Sequence, residues 1–160
     1  MVSLHLIWIG ALFLNSAVPH PDRIDAPEPA GERILLASGI CPQNRKTPSA
    51  PSRISRKKNP LKSNPQNVSK GRELYHKKAK PNACKLCHGI RGNGNGRLAE
   101  NLNPPPRNFT CTDTMKTISD GQMFWIIKNG SRGTAMPAHK STLSDQEIWK
   151  LILYLRKFSK

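Results

Sequence analysis

Cys84-Lys85-Leu86-Cys87-His88 are the residues of this 160-residue chain whose types and spacing can do chemistry. Two thiols separated by two residues and followed at once by an imidazole form the C-x-x-C-H attachment pattern of c-type haem. The two intervening residues set the sulfurs of Cys84 and Cys87 at the separation needed to add to the two vinyl groups of the porphyrin. His88 then lies beneath the ring, where its imidazole can bind the iron. A zinc site would need a second ligand pair, and Cys41 and Cys111 lie far apart in sequence. A thioredoxin-like C-x-x-C should follow a strand within a βαβ pattern, which is absent. The pentapeptide therefore predicts one covalent haem c with its iron.

What fills the face opposite His88 decides the function, because an open face permits small-ligand or peroxide chemistry and a strong sixth ligand confines the iron to electron transfer. Met115, Met123, Met136 and His139 are the downstream candidates. Met123 falls inside an amphipathic helical pattern, where a methionine is usually packing, and Met115 lies close to Cys111. Met136 stands in Gly130-Ser131-Arg132-Gly133-Thr134-Ala135-Met136-Pro137, an extended loop stiffened by Pro137 between two predicted helices. His88 and Met136 are thus the expected axial metal ligands, with His139 three residues on as the alternative.

The elements that must position these groups are helical. Residues 68–76 suggest a first helix with Leu74 and Tyr75 facing inward, fading near Lys80 because Pro81 cannot continue it. Ser119-Asp120-Gly121-Gln122 and Ser144-Asp145-Gln146-Glu147 match capping boxes. The first opens a short helix closing around Asn129-Gly130, and the second a helix to about Phe158 with Ile148, Leu151, Ile152 and Leu155 on one face. Met123, Phe124, Trp125 and Leu102 read as core or cofactor packing. Gly89, Gly92, Gly94 and Gly96 fit no phosphate-binding pattern and read as chain turning beside the haem. No segment alternates as a strand does, so the fold expected is a small all-α domain over residues 67–160, wrapped around the ring that helps so short a chain form a core.

The remainder carries most of the compositional oddity. The formal net charge is +16. Residues 42–66 contribute seven basic side chains and no acid, and the prolines from Pro19 to Pro65 interrupt any helix, so residues 18–66 read as a disordered Pro/Ser/Lys/Arg-rich linker. Residues 1–17 read as a signal peptide or short anchor: Leu4 to Val18 is apolar but falls short of the ~20 residues of a membrane span. In the oxidising compartment this implies, Cys41 and Cys111 are expected to stay unpaired, since Cys41 sits where little should order it, a disulfide tying the tail to the domain being the alternative. So basic a chain calls for an acidic protein or an anionic membrane surface as partner. Nucleic acid is not expected, because no helix-turn-helix, zinc-finger or RNP pattern accompanies the charge.

Residues 67–160 resemble a class I mono-haem cytochrome c of the bacterial, periplasmic type. Gly71 and Tyr75, Cys84-Lys85-Leu86-Cys87-His88-Gly89, Gly133-Thr134-Ala135-Met136-Pro137-Ala138, and the terminal helix with Trp149 and Tyr154 carry the resemblance. It implies that the first and last helices cross at Gly71 against residues such as Leu151 and Tyr154. It also implies that a proline carbonyl, from Pro104, Pro105 or Pro106, holds the free N–H of His88. One departure is the extra length between Tyr75 and Cys84, which brings Lys77, Lys78 and Lys80 near the haem edge. The implied function is outer-sphere electron transfer between redox partners (an oxidase, reductase or dehydrogenase), with no catalytic residues and no enzyme activity, by an exported or periplasmic protein. A permanently bound haem subunit of a membrane oxidase, reductase or dehydrogenase complex is the alternative, and a haem enzyme or gas sensor with an open sixth site stands behind it.

Overall fold

The computed structural model describes residues 41–43 and 45–159, and all regular structure among them is helical. The elements in order are α1 Ser52–Ser55, α2 Pro65–Glu73 running on into a wider turn at Leu74–Lys78, α3 Lys85–His88, α4 Thr112–Thr117, α5 Asp120–Asn129 and α6 Asp145–Leu155. The expected all-α class is what forms. The leader expected over residues 1–17, and the linker as far as residue 40, lie outside the described residues. No helix among the described residues is long and apolar enough to cross a membrane.

Local chemistry explains each boundary. Helix α2 begins slightly before the expected start because the Asn64 side chain accepts from the Asn67 N–H at 2.8 Å and Pro65 opens the first turn. Its last turn widens where the Ala79 N–H donates to the Leu74 carbonyl at 3.1 Å, five residues back. This turn buries Leu74 and Tyr75 together, at 2% and 0% exposure. Helix α6 carries the complete capping box: Glu147 N–H donates to Ser144 Oγ, and Ser144 N–H donates to Glu147 Oε2. Helix α5 has only half of one. Ser119 Oγ caps the Gln122 N–H, but the Gln122 amide turns away to accept from the Ala50 N–H and to donate to the Pro48 carbonyl, each at 2.8 Å.

The first and last helices cross where Gly71 lets the backbones approach. A Cβ there would collide with the Lys150 carbonyl and reach Tyr154 Cβ at 3.0 Å. An exposed helical glycine changed to alanine normally gains up to ~1 kcal/mol. Here the sign reverses: Gly71→Ala is expected to destabilise by about 1–3 kcal/mol through overpacking against backbone that cannot yield, measurable as a fall in thermal midpoint. The core spreads from this crossing through Leu74, Tyr75, Ile148, Leu151, Ile152 and Leu155 to Phe109, Met115, Met123 and Phe124. Trp149 stacks on Phe124 with centroids 4.3 Å apart. Arg156 locks α6 to the turn between α4 and α5, donating to Asp120 Oδ1 at 2.6 Å and to the Met115 and Ile118 carbonyls at 2.7 and 2.6 Å.

Two expectations are corrected. Residues 41–43 and 45–66, read from composition as part of a disordered linker, lie along the helical domain as an extended strap with the one-turn helix α1. Their prolines forbid long helices but suit extended chain, and specific polar contacts replace a hydrophobic stripe. Asn59 Nδ2 donates to the Trp149 carbonyl at 2.9 Å, Ser119 Oγ to the Ser55 carbonyl at 2.5 Å, and the Gly121 N–H to the Lys57 carbonyl at 3.1 Å. The strap thereby satisfies groups in the first turn of α5 that have no partner within the helix. Secondly, Cys41 and Cys111 are joined by a disulfide, with Cα atoms 5.5 Å apart across a sequence separation of 70. The expectation of unpaired thiols failed because it assumed an unordered Cys41.

Candidate functional site

The pentapeptide sits on α3 and the loop before it, pinned from behind by Tyr75, whose hydroxyl donates to the Gly89 carbonyl at 2.6 Å. Cys84, Cys87 and His88 line a cleft of about 600 Å³ that Met136 also lines. The structure thus brings together the four residues singled out from the sequence. Leu102, Phe109, Ile118, Met123, Ile126 and Ile127 give the cleft an apolar wall.

The His88 ring is buried and stacked on Phe109 with centroids 4.6 Å apart. Its Nδ1 lies 3.0 Å from the Arg107 carbonyl. That acceptor assigns the ring proton to Nδ1 and leaves the Nε2 lone pair as the metal-binding position. Burial pushes the imidazole down to about 4, against the opposing pull of the Arg107 carbonyl, so the ring is neutral near pH 7. Burial also pushes the Cys84 thiol up to about 12 and raises Cys87. Both cysteines are unpaired and held as thiols, which disfavours the disulfide-exchange reading of C-x-x-C, since that chemistry needs thiolate. Among the described residues no group of three or more His, Cys, Asp or Glu side chains is gathered as a metal cage.

The expectation that a proline carbonyl would hold His88 is corrected to the next residue, Arg107. Two of the proline carbonyls are engaged by the strap instead: Gln43 Nε2 donates to the Pro106 carbonyl at 2.8 Å, and Arg45 donates to the Pro105 carbonyl at 2.5 Å. A carbonyl leaves no signature in sequence, and only the path of the extended chain chooses among four consecutive residues.

Met136 rides on a closed loop after α5. The Ser131 N–H donates to the Met136 carbonyl at 3.2 Å, and the Met136 N–H donates to Thr134 Oγ1 at 3.1 Å. Gly130 makes the closure possible, with φ 76° and a site for Cβ only 2.9 Å from the Met136 carbonyl and the Ala138 nitrogen. The other candidates also reach the cleft. Met115 and Met123 do so from within α4 and α5, as buried packing. His139 is 3% exposed, with Nδ1 3.4 Å from Thr142 Oγ1.

A cleft of this size with an apolar wall, two free thiols and a neutral imidazole oriented through Nδ1 suits a flat, covalently linked macrocycle. The family model described as cytochrome c oxidase, cbb3-type, subunit III matches residues 66–155, from the first turn of α2 to the end of α6. The chain belongs to that family. Haem c, with its iron, is therefore the covalent cofactor of this c-type cytochrome, and haem-based electron transfer is its role. No curated protein sequence matches the cytochrome significantly. Among solved structures it is similar to a chain of the Kuenenia stuttgartiensis reducing HAO-like protein complex Kustc0457/Kustc0458, at 26% identity and a TM-score of 0.54. The similarity covers 63% of this cytochrome and 47% of that chain, so this cytochrome spans about half the length of its neighbour.

Proposed function

We propose that this cytochrome is an exported, mono-haem electron carrier of the class I type, linked through Cys84 and Cys87, with His88 and Met136 as the axial ligands of a low-spin iron. The observation that carries this reading is the meeting of all four side chains at one cleft, with Met136 on a loop closed by its own backbone. Haem c, when bound, supplies a one-electron ferrous–ferric couple. The chain contributes the rest. The Arg107 carbonyl holds the His88 proton at Nδ1, which fixes the ring and raises its basicity as a donor. Leu102, Phe109, Ile126 and Ile127 give the cleft an apolar lining that a bound ring would cover. A thioether donor with low water access favours the reduced state relative to two imidazoles. The reading is of a carrier rather than an enzyme, because a thioether and an imidazole on opposite sides of the iron would leave it no open position.

The charge supports an acidic partner. Lys46, Lys80, Arg132 and Lys140 are exposed, and each is next in sequence to a residue that lines the cleft. Such a ring steers an acidic protein, or an anionic membrane surface, toward the haem edge. The expected result is that electron exchange with an acidic redox protein slows steeply as ionic strength rises from about 0.01 to about 0.1 M, over which the Debye length falls from ~30 to ~10 Å. A flat dependence in stopped-flow measurements contradicts the steering. Export to the periplasm, with tethering through the apolar N-terminus as a variant, belongs to the same proposal.

A second reading is that the domain is a fixed subunit of a larger redox complex. It is favoured by the family, that of a cbb3-type oxidase subunit, and by the structural neighbour, a chain of a protein complex. Size-exclusion of a native extract separates the two: elution of all the pigment in a large assembly supports the subunit, and elution near the monomer supports the carrier.

A further inference from the structure

We propose that Arg45, on the strap, and Arg107 form a carboxylate clamp that binds the propionates of the haem. The proposal rests on the haem c assignment above and goes beyond it to residues outside the family match, since Arg45 precedes residue 66.

Arg45 and Arg107 both line the cleft, and no Asp, Glu or Lys accompanies them there. Arg45 Nε is buried without a hydrogen-bond partner. Among the described residues neither guanidinium has an ion pair: Arg45 donates to the Pro105 carbonyl and Arg107 to Thr47 Oγ1 at 2.9 Å, both uncharged acceptors. Two cations are thus gathered at a cleft wall, half-buried, repelling each other and uncompensated by the chain. A folded protein pairs such charges. Haem carries the missing anions, two flexible carboxylates on one edge of an otherwise apolar ring, and an arginine fork matches a carboxylate in shape as well as charge.

The strap is built to deliver this residue. The Cys41–Cys111 disulfide anchors one end. Gln43 holds the next turn of chain through the Pro106 carbonyl and the Asn108 N–H, each at 2.8 Å. Gln122 fixes the far end at Pro48 and Ala50. Arg45 lies between these anchors.

The test uses the exported haem-loaded protein and two readouts, the propionate bending mode in the resonance Raman spectrum and the ferrous–ferric midpoint. Arg45→Gln is expected to shift the propionate mode and lower the midpoint, because a positive charge that disfavours ferric iron is lost. Arg45→Lys should restore much of the midpoint while leaving the propionate mode shifted, since the charge returns without the fork. Lys58→Gln removes the same formal charge from an exposed strap position outside the cleft lining and should leave both readouts unchanged. The double variant Cys41→Ser/Cys111→Ser should move the mode in the same direction as Arg45→Gln. An Arg45→Gln protein indistinguishable from Lys58→Gln in both readouts overturns the clamp while leaving the haem assignment standing. A wild-type protein with no covalent pigment overturns the assignment itself.

Discussion

Met136→Ala is expected to lower the midpoint potential by on the order of 0.1 V or more, within the ~0.8 V that axial ligation spans across haem proteins, and to let the ferrous protein bind carbon monoxide at neutral pH. The thioether is the proposed sixth donor, carried on the loop that Gly130 and Thr134 shape, and alanine leaves the bonds made by the Met136 backbone in place. The change therefore falls on the iron more than on the fold. His139 provides the control, because it lines the same cleft from the same loop. His139→Gln should leave potential and spectrum unchanged. A potentiometric titration of the two variants decides between them: an unaltered Met136→Ala protein beside an altered His139→Gln protein would transfer the ligand role to the histidine.

Cys84→Ala/Cys87→Ala should abolish covalent attachment entirely, so that acidified acetone strips all the pigment from the variant and none from the parent. The wall of the cleft is unchanged by these substitutions, and some haem should still associate without being linked. The single variants are informative in a different way. Cys84 and Cys87 are both part-buried at the cleft wall, and each can form its own thioether. Either single variant should retain one link and survive extraction. Full retention of pigment by the double variant would show that neither sulfur carries the porphyrin.

Much of this site was legible because its signals are local. The two thiols and the imidazole occupy five consecutive residues, and the methionine loop lies between two helices whose caps are written in Ser119 and Ser144. The crossing at Gly71 was legible only through the resemblance, and the structure supplies its reason, the Lys150 carbonyl where a Cβ would stand. What composition concealed is non-local. The strap contains no apolar periodicity, and its order comes from partners some sixty to ninety positions away, such as Gln122 for Ala50 and Trp149 for Asn59. Its basic charge and prolines are the same features that mark an unfolded tail. The pairing of Cys41 with Cys111 depended on that order and was hidden with it. The half-used capping box at α5 carries the same lesson, since Gln122 matches the pattern but serves the strap.

The helical domain and the strap meet at the cleft, which explains why a short chain so rich in like charge can hold together. Arg156 and Asp120 tie the helices at one side, and the strap closes the other with Arg45 beside Arg107. On this account the haem is a structural centre as well as the redox group, joined by two bonds to the chain and compensating its buried cations.

The most direct test of the central claim is the intact mass of the exported protein measured under denaturing conditions. The account predicts a mass above that of the processed polypeptide by one haem, carried by a species that keeps its visible absorption. A mass equal to the bare polypeptide, with any pigment released on unfolding, would contradict it.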